Sequence, residues 1–188
     1  MKEALIFLID TFTRLYLLIL LLRFWLPLLR VNFRNPVAQG ILRYTSPAVV
    51  PFRRFIPSFG QLDTATIVVA ILIQMAASIV IMTIGTGFGF FGQLATSLLP
   101  MVVVAFFELA RLSVVIFIVS IVIRVILSLL GRSFGPLSDL LFNMTEPLLR
   151  PVRRIIPPLG VVDLSAYVVI VLLIALNMAL ADFQTRLV

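Results

Sequence analysis

The chain has 188 residues, of which 62% are hydrophobic and 12% charged, with a formal net charge of +7. A soluble domain carries about 25% charged residues, so this is membrane sequence with little left over for a soluble domain. There is no cysteine and no histidine, which excludes disulfides, thiol nucleophiles, Cys/His zinc sites, His- or Cys-ligated haem and the commonest general base.

Four apolar runs, Ala4–Leu29, Thr64–Ile84, Leu98–Leu130 and Leu164–Ala181, approach or exceed the roughly 20 residues that span a bilayer. The expected fold is an all-α membrane protein with four transmembrane helices. The first run follows Met1-Lys2-Glu3 directly. It is too long for the apolar region of a signal peptide and reads as a retained signal anchor. It holds Asp10 and Arg14 four residues apart, acid first, the better order for a pair on a helix. Arg23 lies further on, about a turn from the inner surface. In the first linker, Asn35-Pro36 can cap and start a helix, with Val37, Ile41 and Tyr44 on one face. Pro47 is expected to end that helix, and Pro51 to Pro57 to run extended or in turns. Arg53 and Arg54 follow, then Gly60 for a turn. Asp63 stands one residue before the second run, where a carboxylate caps a helix.

The second run carries Gln74 as a polar group that can join helices. Residues 85–97 form a glycine-rich turn without charge. Its Gly87-x-Gly89-x-x-Gly92 spacing follows no strand and is only a turn. The third run places Glu108 and Arg111 near the outer interface and Arg124 near the inner one. After Pro136 the stripe Leu137, Leu140, Leu141, Met144 marks a second amphipathic helix. Such a helix lies in the plane of the membrane interface. Pro147, Arg153, Arg154, Gly160 and Asp163 then recur as in the first linker.

That recurrence organises the chain. The motif P-x-R-R-x-I-P-x-x-G-x-x-D begins at Pro51 and again at Pro151, and nine of nineteen positions from Thr45 and Thr145 onward are identical. Two copies of one unit are implied: residues 1–84, the turn 85–97, and residues 98–188. Each copy contributes two spans, so the repeats are parallel, related by a pseudo-twofold axis along the membrane normal. Both linkers are rich in arginine and are expected on the cytoplasmic side, with the glycine turn and both termini outside.

Two readings of the charged residues follow. Arg53, Arg54, Arg153 and Arg154 sit at headgroup depth, where a guanidinium fork suits a lipid phosphate or an acidic partner. The plainer alternative is a topology signal. Asp63 and Asp163 read as helix caps. Asp10, Arg14, Glu108 and Arg111 lie within spans and are candidates to line an ion path. Arg23 and Arg124 fit snorkelling side chains.

Leu22-Arg23-Phe24-Trp25, Asn35-Pro36, the doubled motif and Asn177-Met178 together resemble the YggT (YlmG) family of small bacterial membrane proteins. The resemblance implies a four-span inner-membrane protein with two YggT repeats. It offers no catalytic residue to carry over. Members have been linked to osmotic or ion homeostasis, to the cell-division gene neighbourhood and, in plastids, to assembly of a cytochrome complex. The expected function is therefore a non-enzymatic scaffold or assembly factor, without catalytic residues, metal or cofactor. Its expected partners are anionic lipid headgroups and a second copy or another membrane protein, not nucleic acid. The alternative is a small oligomeric channel or transporter.

Overall fold

A computed structural model describes residues 1–57, 62–86, 94–131, 135–155 and 163–187. Gly60, Gly160, the turn at 87–93 and the Ile156-Pro157 end of the second motif lie outside the described residues. The described residues form six helices: α1 Lys2–Leu28, α2 Pro36–Arg53, α3 Thr64–Thr86, α4 Leu94–Leu129, α5 Pro136–Arg153 and α6 Leu164–Leu187. Four of them, α1, α3, α4 and α6, are long and apolar enough to cross a membrane. The two halves repeat one order: long helix, amphipathic helix, long helix.

α1 ends where Arg30 turns into the left-handed region at φ 54°. The Val31 amide then bonds the Leu26 carbonyl at 3.0 Å and the Arg30 amide bonds Pro27 at 3.1 Å, the paired closure that satisfies otherwise free carbonyls. Gly131, at φ 66°, takes the same role after α4. The start of α2 is capped by Asn35, whose side chain accepts from the Val37 amide at 2.9 Å. Its amide group also donates to the Pro136 carbonyl at 2.5 Å, tying the beginnings of α2 and α5 together.

Two local expectations are corrected. Pro47 does not end α2, nor Pro147 α5; both helices run on to the first arginine of the pair. Pro47 and Pro51 are four residues apart and both exposed. The carbonyls they leave without an amide donor therefore lie on the outer face of α2, where water can reach them. The buried face of α2 is also rotated from the one expected: Tyr44 is 77% exposed, and Ala38, Thr45 and Val49 are buried. The polar contact of Thr45 described below selects that face.

α1 packs on α3 and α4 on α6, with α2 lying across the first pair and α5 across the second. The halves meet through α1–α4, α3–α4 and α2–α5. Trp25 of α1 sits edge-on to Phe117 of α4, ring centres 4.9 Å apart. The twofold counterpart of α3 on α4 is α6 on α1, and it is not made to a comparable extent. Packing thus departs from the expected pseudo-twofold arrangement.

Candidate functional site

Each half builds a charged cluster where its long helices meet the amphipathic one. In the first, the Arg23 side chain from α1 is only 3% exposed. Its Nη1 donates to Thr45 Oγ1 at 2.9 Å, Ser46 Oγ at 3.2 Å and the Leu42 carbonyl at 3.3 Å. Its Nε faces Asp63 Oδ2 at 3.5 Å. Arg53 reaches the same carboxylate oxygen at 2.5 Å. Thr45 can accept from Arg23 because its own proton goes to the Ile41 carbonyl at 2.7 Å.

The second half repeats the plan. Arg124 donates to Thr145 Oγ1 at 2.7 Å, and Thr145 donates back to the Leu141 carbonyl at 2.7 Å. Arg153 holds Asp163 Oδ2 through Nε at 2.9 Å and Nη2 at 2.5 Å, a fork onto one oxygen. One position differs. Glu146 stands where the first half has Ser46, and its Oε2 takes Arg124 at 3.0 Å and Arg153 at 3.3 Å. Two arginines against Asp63 leave the first cluster at +1, whereas two against Glu146 and Asp163 leave the second at zero.

The two aspartates both occupy the residue before a long helix but use their carboxylates differently. Asp163 Oδ1 accepts from the Ser165 amide at 3.1 Å, as a helix cap does, and from the Ser165 hydroxyl. The first half has Ala65 in that place. There Asp63 Oδ1 is buried without a hydrogen-bond partner. For Asp63, burial alone would raise the carboxyl pKa, but the Arg53 hydrogen bond, the nearby Thr66 hydroxyl and the charges of Arg53 and Arg23 outweigh it and hold it below the usual range. Burial likewise opposes ionisation of Asp163, and the bonds from Ser165 and Arg153 outweigh it.

The Arg-Arg pairs are therefore split. Arg53 and Arg153 turn back onto Asp63 and Asp163. Arg54 and Arg154 are exposed and, among the described residues, make no ion pair or side-chain hydrogen bond. Arg30, Arg34, Arg43 and Arg150 are exposed at the same end.

The charges inside the spans do not form one group. Arg14 pairs with Asp10 at 2.9 Å, on a surface where the two side chains are 55% and 40% exposed. On α1 these two charges therefore face away from the other helices of the chain. Arg14 lies on the stripe of Leu17 and Leu21, but those two leucines are buried and Arg14 is not. Glu108 and Arg111 form a separate set with α6: Arg111 to Glu108 at 3.3 Å, Gln184 to Glu108 at 3.3 Å, and Asn177 to the Arg111 carbonyl at 3.3 Å. No hydrogen bond or ion pair links the two sets among the described residues. No group of three or more acidic residues among them could hold a metal ion.

Sequence reasoning missed the central place of Arg23 and Arg124, and did not single out Thr45, Thr145, Glu146 or Ser165. The available signal was the recurrence of Thr45 and Thr145 within the duplicated segment, together with the near-equal spacing of the two arginines before it.

A sequence model of the CCB3/YggT family matches residues 2–84 and 103–184. "Uncharacterized protein YggT" of Escherichia coli (strain K12) is 32% identical over 182 residues, covering 96% of this chain and 90% of the relative. A Pseudomonas aeruginosa protein is 38% identical over 167 residues, covering 88% and 82%. A Vibrio alginolyticus protein is 32% identical over 176 residues, covering 94% and 92%. No solved structure matches.

Proposed function

The chain belongs to the CCB3/YggT family, and we propose that it is a non-enzymatic membrane scaffold or assembly factor. In this reading α2 and α5 lie in the cytoplasmic interface of the inner membrane. They present Arg54 and Arg154 to anionic headgroups or to an acidic segment of a membrane partner. The observation that carries it is the division of labour within each pair. Asp63 and Asp163 bind the first arginine, which fixes the local backbone, and the second is left outward. A bare topology signal needs positive charge but no such fixed geometry.

Replacing Arg54 and Arg154 together by Gln tests this. Retention of anionic lipid, and crosslinking to native partners in membranes, should fall while the thermal midpoint stays put. Each basic residue near an anionic surface contributes about 1 kcal/mol. Unchanged lipid and unchanged crosslinks would reject the reading.

The exposed Asp10–Arg14 pair favours a homo-oligomer or a partner helix at that stripe, because charge facing lipid is costly. The channel alternative draws on the same pair. Ion flux in liposomes that disappears with Arg14→Leu would favour it over the scaffold.

A further inference from the structure

Arg23 and Arg124 hold equivalent places, yet one side chain is 3% exposed and the other 16%. A cleft makes the difference. Between α4, α5 and α6 lies a cavity of about 620 Å³, within the ~300–1,000 Å³ of typical small-molecule sites. Val122, Val125 and Ile126 of α4 face Tyr167 and Ile170 of α6 across it, with Phe142 of α5 closing one side. Arg124, Arg153 and Asp163 line it too, so a largely apolar cleft carries a charged region. Val122, Ile126 and Tyr167 are exposed, so the apolar part opens sideways, towards the bilayer. The lining runs from Ile121 to Leu129, about 12 Å of helix. One leaflet contributes about 15 Å of hydrocarbon. The cleft therefore matches one leaflet in depth.

Its charges select among lipids. Arg124, Arg153 and Asp163 line the cleft, and Glu146, paired with both arginines just outside the lining, brings the group to zero with both signs represented. The described bonds use two of the five N–H donors of Arg124 and three of the five of Arg153. Donors therefore remain for phosphate oxygens. Glu146 is 29% exposed beside the two arginines, and its Oε1 takes part in none of the described bonds, so it can accept from an ammonium at the polar rim of the cleft. A purely anionic headgroup would satisfy the arginines but leave the acids facing a like charge. The first half lacks this arrangement. Ser46 replaces the second acid and Arg23 is sealed in.

We infer that the cleft of the second half is a binding site for one phospholipid with a zwitterionic, ammonium-bearing headgroup. One acyl chain lies between α4 and α6, the phosphate on Arg124 and Arg153, and the ammonium towards Glu146 at the polar rim. The site is separate from the exposed arginines proposed above to meet anionic surfaces.

Native mass spectrometry of the full chain in detergent, delipidated and titrated with phosphatidylethanolamine or phosphatidylglycerol of identical chains, tests this. One phosphatidylethanolamine per chain should bind, about fivefold more tightly than phosphatidylglycerol. Ile126→Trp, which fills the cleft from its exposed rim, should abolish that binding, and Val122→Phe provides a second rim variant should the first fail to fold. Glu146→Gln should erase the headgroup preference. Arg54→Gln with Arg154→Gln should leave the cleft lipid in place, which separates this site from the scaffold reading. Equal affinity for the two lipids, or stoichiometric binding unaffected in a folded rim variant, would overturn the assignment.

Discussion

At the scale of single residues, three positions show how backbone and charge constrain this chain. Arg30 and Gly131 close the first long helix of each half in the same left-handed conformation. A Cβ built at Gly131 meets nothing within 4 Å, so the difference between the two positions is conformational rather than steric. A left-handed L-residue costs roughly 1–2 kcal/mol. Arg30→Gly should therefore raise the thermal unfolding midpoint in detergent, and Gly131→Ala should lower it. Asp63 illustrates charge. Its folded pKa is depressed, so its ion pairs stabilise the fold fully above the unfolded carboxyl value of about 3.9. That contribution fades as pH falls through the lower folded value. Asp63→Asn should lose about 3 kcal/mol at neutral pH, because it leaves the buried Arg23 without its acid. The gap between variant and wild type should narrow below about pH 4, as unfolding midpoints across an acid series would show. A gap independent of pH would mean that the carboxylate charge is not what Arg23 needs.

At the scale of elements, the two halves are a natural comparison of one site with and without an extra acid. Glu146 bridges Arg124 and Arg153, whereas Ser46 offers Arg23 a hydroxyl. Ser46→Glu should bring the first cluster to neutrality and stabilise α2 against α1, by about 1 kcal/mol for a half-buried pair. Glu146→Ser should destabilise α5 by more, since it leaves Arg124 without its acid. Thermal midpoints and protease sensitivity of the linkers would report both. The elements also show where sequence was sufficient. The long helices announce themselves by apolar runs, and α2 and α5 by a proline start and a 3.6-residue pattern. Their ends were not legible, because Pro47 and Pro147 look like stops. They cease to be stops once the carbonyls they orphan face outward. The rotation of α2 was hidden for a related reason: Tyr44 looks more apolar than Thr45, yet Thr45 is what the buried Arg23 requires. Long-range polar pairing, here across 22 residues in sequence, overrides local hydrophobic pattern.

At the scale of the whole molecule, the exposed arginines bear on the proposed orientation and the exposed face of α1 on the proposed assembly. The basic ends of the helices carry the exposed arginines, and short basic loops stay cytoplasmic. Single cysteines in this cysteine-free chain should label only after permeabilisation at the exposed positions Phe55 and Ile155. A cysteine at Gly85, where a Cβ meets open space, should label without it. The proposed assembly would use the stripe formed by Phe7, Asp10, Arg14, Leu17 and Leu21. Its latter part is buried against the rest of the fold, while Phe7 and Arg14 are exposed. A stripe that continues a core face beyond its cover, carrying both an acid and a base, can meet its own copy about a twofold axis. Asp10 of each chain then faces Arg14 of the other, and equivalent residues near the axis approach each other. Phe7→Cys, about 20° from Arg14 around the helix, should then form a disulfide-linked dimer in native membranes under mild oxidation. Phe12→Cys, about 160° away, should not. Arg14→Leu should lower the yield of the Phe7→Cys dimer. Crosslinking that is equal at the two positions, or absent at Phe7, would show that something other than a second copy covers this stripe.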